Sequence, residues 1–93
     1  MHTLSIEHEI TDFPTWKQAF DRFESARAQA GVRAHRIRRL ASDPFYLIIE
    51  LDFDTEAGAE EFRQFLLTVV WSNPEASPAL SGVPITRILA PAP

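Results

Sequence analysis

The chain of 93 residues carries nine basic and thirteen acidic side chains, which give a net charge of −4 at neutral pH. This length predicts one domain spanning residues 1–93, and the acidic balance disfavours nucleic-acid binding, because polyphosphates bind basic surfaces. The absence of cysteine excludes disulfides, iron–sulfur clusters, thiolate zinc sites and a cysteine nucleophile.

The length and composition of the chain also indicate where the protein is located and whether it associates. No apolar run approaches the roughly 20 residues that a membrane helix requires. The first residues also lack the basic and apolar regions of a signal peptide, so we expect a cytoplasmic protein with no membrane partner. Because so short a chain buries little apolar surface by itself, we expect a homo-oligomer.

The first part of the chain predicts a strand, a helix and a second strand. Residues 3–10 alternate between apolar and polar side chains, which predicts a half-buried strand with Leu4, Ile6, His8 and Ile10 on the face towards the helices. After the capping pair Thr11-Asp12, apolar side chains recur at helical spacing as far as residue 30. The members of this stripe are Phe13, Trp16, Phe20, Phe23 and Ala30.

A glycine and a weaker alternation follow this helix. Gly31 stands where a C-capping glycine is expected. Residues 32–40 predict a second strand, in which Val32, Ala34 and Leu40 share one parity.

The second part of the chain predicts a strand, a helix and a last strand. A turn at Ser42-Asp43-Pro44 leads to Phe45–Phe53, whose almost continuous apolar character predicts a central strand buried on both faces. Asp54-Thr55 caps a second helix, which ends at Trp71. Residues 72–82 predict a loop, and 83–90 a strand with Val83, Ile85 and Leu89 on one face.

The resulting order is β-α-β-β-α-β, in which each helix connects two strands. Right-handed crossovers leave few topologies for this order. The simplest is an α+β, ferredoxin-like fold with an antiparallel sheet in the order 4-1-3-2 and both helices on one face. This fold places the arginine-rich second strand at an edge, where charge deters unwanted pairing.

Three parts of the sequence resemble a known superfamily. They are residues 8–21, the Asp43-Pro44 pair before the apolar strand, and Val70-Trp71 with the later Pro78, Pro84 and Arg87. They look like small bacterial proteins of the dimeric α/β-barrel superfamily, in a group that is uncharacterised or called "cyclase". The resemblance implies a homodimer formed by sheet-to-sheet packing. It also implies a relationship to antibiotic-biosynthesis monooxygenases, polyketide cyclases and haem-degrading enzymes, whose ligands lie between the sheet and its own helices.

Several aromatic and basic side chains are expected to meet at one end of the layer between sheet and helices. His8 lies near the end of the first strand, Trp16 early in the first helix, and Trp71 at the end of the second helix. Arg38 reaches the same end if its parity follows that of Ala34 and Leu40. Small ligands bind in concave, mostly apolar places that offer a few polar groups.

A functional interpretation assigns a role to each of these residues. His8 would be a general base or hydrogen-bond donor, since imidazole titrates near neutral pH. Arg38 would hold a phenolate or carboxylate, and Trp16, Phe20 and Trp71 would contact a planar ring.

A structural interpretation of the same residues stays open. His8 would then bond Asp12 or the backbone at a helix start, and both tryptophans would be core or dimer contacts. Asp12 itself is expected to cap the first helix rather than to act as a catalytic acid.

The remaining charged and metal-binding residue types indicate no cofactor. The run Arg33–Arg39 predicts a charged edge strand rather than an RNA site, with partners among Glu7, Glu9, Glu50 and Asp52 across a dimer interface. The three histidines have no spacing typical of metal ligands, so we expect no metal. Asn73, the only asparagine, does not match the asparagine–tryptophan–histidine set that the resemblance implies for haem-degrading relatives.

The sequence supports three hypotheses for the function. The first is a small-ligand-binding homodimer with a pocket between sheet and helices. The second is a cofactor-independent monooxygenase or cyclase that acts on a hydroxylated aromatic compound. The third is a structural dimer, in which Trp16, Phe20, Phe62 and Trp71 would fill that layer and leave no cavity.

Overall fold

Four strands form one antiparallel sheet in this computed structural model, which describes residues Met1–Pro93. The strands are β1 (His2–Ile10), β2 (Ala34–Leu40), β3 (Asp43–Phe53) and β4 (Leu80–Leu89). Their spatial order is β2-β3-β1-β4, which is the predicted order 4-1-3-2 counted from the other edge. The predicted ferredoxin-like fold is therefore confirmed.

Three helices connect the strands: α1 (Phe13–Arg22), α2 (Glu24–Ala30) and α3 (Glu56–Phe65). A π-helical turn over Leu66–Val70 extends α3. The predicted caps are confirmed, because the Asp12 and Thr55 side chains accept hydrogen bonds at the starts of α1 and α3, and Gly31 ends α2 with φ +92°. No helix has the length and apolar character that crossing a bilayer requires.

The single first helix predicted from the sequence is in fact two helices that meet at Phe23. The Phe23 backbone leaves the helical region, with φ −94° and ψ 13°. In a continuous helix the Phe20 carbonyl would accept a hydrogen bond from the amide of residue 24. Here it accepts from the Phe23 amide at 3.2 Å and from the Arg27 guanidinium at 2.6 Å. A side-chain donor thus satisfies the carbonyl that the break in the helix releases.

The hydrophobic core lies between the sheet and the helices. Alternate residues of β1 and β3 point towards the helices, and they pack against α3. This core consists of Leu4, Ile6, Ile10, Leu47, Ile49, Leu51, Phe53, Ala59 and Phe62. The inward face predicted for the first strand is confirmed, and His8 is buried on it.

The opposite face of the sheet is covered by no other part of the chain. Tyr46, Ile48, Glu50 and Asp52 of β3 lie on this outer face and are only partly buried. The expectation that this strand is buried on both faces is wrong for the single chain, because both connecting helical segments pack on the inner face. Val83, Ile85 and Leu89 are also exposed.

The last strand begins three residues earlier than the sequence predicts. Leu80 and Ser81 already pair with Ile10 and Glu9 of β1, and the register shifts before Ile85 pairs with Glu7. Gly82 lies inside this irregularity with φ +74°, a backbone region that favours glycine.

Candidate functional site

A cavity of about 80 Å³ lies between the inner face of the sheet and the helices, and one side of it is open to solvent. Of its sixteen lining residues thirteen are hydrophobic, and the three polar ones are His8, Arg27 and Ser77. An apolar, concave site with a few polar groups is typical of small-ligand binding. The cavity contradicts the filled layer that the structural-dimer hypothesis requires.

One wall of the cavity is a row of rings that begins on β1 and continues along α1. The His8 imidazole lies 6.1 Å from the Trp16 ring, centroid to centroid, and Trp16 stacks on Phe20 at 5.1 Å with 16° between the planes. Spacings of four residues place Trp16 and Phe20 on one side of α1, as the sequence predicts. Aromatic side chains of this kind can contact a planar ring through a face or an edge.

Trp71 lines the cavity from the end of the helical segment that follows α3. It caps the π-helical turn, and its amide donates to the Leu66 carbonyl at 2.7 Å. π-helical turns are rare in proteins, and those that occur often lie at functional sites. The structure therefore brings His8, Trp16, Phe20 and Trp71 together, as predicted, while their roles as ligand contacts stay predictions.

His8 is the one histidine of the cavity, and its side chain is 4% exposed. Its Nδ1 lies 3.0 Å from the Glu9 carbonyl oxygen. Because a carbonyl can only accept, Nδ1 carries the proton and Nε2 keeps a lone pair. No group of the chain is hydrogen-bonded to Nε2, so this atom can accept a hydrogen bond from a ligand.

The charge state of His8 follows from its surroundings. Burial lowers the pKa of His8, and the hydrogen bond to the Glu9 carbonyl opposes this only in part. His8 is therefore neutral at neutral pH. The expectation that it bonds Asp12 or a helix start is wrong, since Asp12 accepts from the backbone amide of Thr15 instead.

Arg38 does not reach the cavity where the sequence analysis places it. It pairs with Ile48 of β3 on the outer face, where its guanidinium forms an ion pair with Glu50 at 2.6 Å. Arg38 does share the parity of Ala34, but this side of β2 faces outward, because the two residues pair with Ile48 and Asp52. Only Leu40 is separated from this parity, by the register shift after Arg39. The predicted position of Arg38 at the ligand pocket is wrong.

The arginine-rich edge strand has acidic partners within its own chain. Arg36 forms ion pairs with both Glu50 and Asp52, and Arg38 shares Glu50. Two of the four expected acidic partners are therefore confirmed, but they lie on the neighbouring strand of the same sheet rather than across an interface. A third, Glu7, pairs with Arg87 of β4.

Arg27 is a polar residue of the cavity that the sequence analysis does not single out. It is 7% exposed, and its guanidinium carbon lies 3.6 Å from the centroid of the Phe20 ring. Burial lowers the pKa of Arg27, against the opposing charges of Asp21 and Glu24. The signal for Arg27 is its spacing, because position 27 lies four residues after Phe23 and so falls within the apolar stripe of the helix.

The fold is shared with several solved structures. No protein-family model matches the chain, and no curated protein is similar to it in sequence. A protein of Nitrosomonas europaea described as a candidate antibiotic biosynthesis monooxygenase superposes with a TM-score of 0.70 at 13% identity, over 98% of each chain. An uncharacterised NIPSNAP domain protein of Burkholderia xenovorans superposes with a TM-score of 0.65 at 16% identity, over 99% of this chain and 95% of that one.

A third similar structure is described as a dimeric ferredoxin-like protein from an uncultured marine organism. Its TM-score is 0.61 at 11% identity, over 98% of this chain and 96% of that one. At such identities the likeness concerns the fold. It confirms the predicted ferredoxin-like fold.

Proposed function

We propose that the protein is a homodimer in which each protomer binds one small planar ligand between the sheet and its helices. The observation that carries this proposal is the cavity, which is apolar, walled by stacked aromatic rings and provided with an unpaired imidazole nitrogen. Ligand pockets in proteins combine these same features, an apolar lining and a few polar groups that fix orientation.

The volume of the cavity limits the ligand to a single ring. An apolar cavity of about 150 Å³ is known to bind benzene, whereas this cavity measures about 80 Å³ and is open on one side. A single ring therefore enters with a small movement of Trp16 or Trp71, which are both only partly buried. A fused-ring compound would require the helices to separate from the sheet.

The polarity of the cavity favours a hydroxylated ring. The ring would lie against Trp16 and Phe20, and its hydroxyl group would donate to Nε2 of His8. A neutral imidazole is suited to this contact, because it offers an acceptor without burying a charge.

Catalysis on the same ligand is a second candidate function, and the free Nε2 of His8 is the observation that favours it. In a cofactor-independent monooxygenase or cyclase, Nε2 would take the proton of the ligand hydroxyl. The ligand would become an oxyanion, and the imidazolium would keep its Nδ1 hydrogen bond to the Glu9 carbonyl. Turnover of a bound phenol that disappears in His8→Phe, while binding persists, would support this function.

The homodimer is supported by the uncovered outer face of the sheet. Ile48 and Ile85 lie there among ion pairs that the chain forms within itself, and Ile85 is 49% exposed. The fold neighbour from the marine organism is described as dimeric. Packing of two such faces would bury the apolar residues of both copies without leaving unpaired charges.

Ligand binding is tested by the thermal unfolding of the protein with phenol and with toluene. A ligand at about 100 times its dissociation constant adds about 2.7 kcal/mol of stability, which raises Tm by about 11–22 °C in a domain of this size. We expect phenol to raise Tm more than toluene does, and His8→Phe to abolish the difference. Trp16→Ala should abolish both shifts.

The matched control is Leu67→Ala, which removes an exposed apolar side chain of the same helical layer that does not line the cavity. This variant should keep the full response to phenol. Absence of any shift in the unmodified protein, or an undiminished shift in Trp16→Ala, would contradict the proposed pocket.

A further inference from the structure

Arg27 is a buried cation that has no ion-pair partner in the chain, although the charges of Asp21 and Glu24 act on it from a longer distance. It is 7% exposed, yet no carboxylate lies within ion-pair distance of it. Neither of the two acidic residues whose charges reach Arg27 forms an ion pair with it: Asp21 is paired with Lys17 at 2.6 Å, and Glu24 is exposed. Buried charges in proteins are normally paired, because an uncompensated charge in an apolar environment is strongly unfavourable.

The contacts that Arg27 does make leave part of its hydrogen-bonding capacity free. One Nη1 bond goes to the Phe20 carbonyl, and the guanidinium plane lies over the Phe20 ring. A guanidinium has five N–H donors, so most of them have no acceptor in the chain. Arg27 also lines the cavity, and none of its unpaired nitrogens is fully buried, so these donors are accessible to another molecule.

We propose that Arg27 is an anion-binding subsite of the cavity and that the ligand is a small aromatic carboxylate. This inference rests on the proposed ligand-binding function and specifies its ligand class. The guanidinium would donate two parallel hydrogen bonds to the carboxylate, a geometry for which arginine is well suited. The ligand would thus supply the negative charge that the folded protein lacks at this position.

The arrangement of the wall also fixes the ligand's polarity. Consecutive contacts lead from His8 to Trp16, from Trp16 to Phe20 and from Phe20 to Arg27, with an acceptor at the first end and a donor at the last. A ring that lies along this wall therefore fits best with a hydroxyl group at one end and a carboxylate at the other. 4-Hydroxybenzoate has this pattern and serves as the probe.

The test compares 4-hydroxybenzoate with 4-hydroxybenzamide, which has the same shape but no charge. Calorimetric titration of the unmodified protein should give a dissociation constant about tenfold lower for the acid, because hydrogen bonds between charged groups are stronger than neutral ones. Arg27→Met should abolish this preference and still bind the amide. The matched control Arg22→Met, which removes an exposed arginine of α1, should retain it.

A second measurement avoids dependence on the folding of Arg27→Met. In the unmodified protein, the side-chain Nε–Hε resonance of Arg27 should shift on addition of the acid and stay in place on addition of the amide. Equal affinity for acid and amide, or an Arg27 resonance that does not respond to the acid, overturns the anion subsite and leaves the proposed pocket standing. Failure of both compounds to bind overturns the subsite and the pocket together.

Discussion

The inner and outer faces of the sheet are built from the same strands, but they differ in composition and in what covers them. On β3, Leu51 points inward and is 2% exposed, whereas its neighbours Glu50 and Asp52 point outward and form ion pairs with Arg36. Successive residues of β3 therefore point alternately into the apolar core and onto the charged outer surface.

This difference shows that the two faces contribute differently to the protein. The inner face supplies the apolar burial that stabilises the fold, and it contains the cavity with His8 and Arg27. The outer face forms ion pairs within its own chain and leaves Ile48 and Ile85 partly exposed, where the proposed dimer would cover them. Substitutions on the two faces should accordingly affect stability, association and ligand binding separately.

The largest effect is expected from shortening a side chain of the inner face. Leu51→Ala should lower the free energy of unfolding by about 2–5 kcal/mol, because it removes buried contacts and leaves a cavity. Val83→Ala, at a position that is 89% exposed, should change it by less than about 0.5 kcal/mol. Urea unfolding at one fixed protein concentration measures both, and similar losses would contradict the assignment of the core to the inner face.

An intermediate effect is expected when a charge is placed on the outer face. Ile48→Arg should convert the proposed dimer into a folded monomer, because two additional cations would be buried without partners between the sheets. Light scattering should then give the mass of one chain, 10.5 kDa, instead of two. Leu67→Arg, on the helical side, should remain dimeric, and a dimeric Ile48→Arg would mean that the copies associate through another surface.

The smallest effect is expected in the pH dependence of stability, to which the buried His8 of the inner face contributes. Burial lowers its pKa in the folded protein, so below about pH 6.5 the unfolded chain binds a proton that the folded protein does not. Stability should therefore fall as the pH decreases from about 6.5 towards the lowered pKa. Urea midpoints should show this decrease in the unmodified protein and in His35→Gln, while His8→Phe should be flatter over the same range.

Local chemistry made several elements of the fold predictable. Asp12 and Thr55 cap helices because their side-chain oxygens reach amides three residues ahead, a contact within one turn. Gly31 ends α2 because its left-handed backbone is accessible to glycine. The inward position of His8 follows from strict alternation in β1, where no bulge interrupts residues 2–8 in the pairing with β3.

The two arginines show where this kind of reasoning failed. Arg38 was expected on the inner face with Ala34 and Leu40, but the side of β2 that carries Ala34 and Arg38 faces outward. Ile37 lies on the inner side, opposite Ile49, and Leu40 is displaced by a register shift. Arg27 occupies a position of the apolar stripe, and its spacing therefore indicates burial. A charged side chain is normally expected at the surface, so this position was not recognised as buried. A bulge depends on the partner strand, so the alternation of β2 by itself does not reveal it.

The sequence by itself determined the order of strands and helical segments, the helix caps and the inward face of β1, because each depends on contacts between residues close in the chain or on a period of two or 3.6. The sheet order followed from that order of elements through the handedness of the connections. Only the tertiary structure decided which basic residue lines the cavity, how large the cavity is, and that the outer face of β3 is left open. These features depend on register between distant strands and on which surfaces the helices cover, and such long-range packing leaves no periodic signal in the chain.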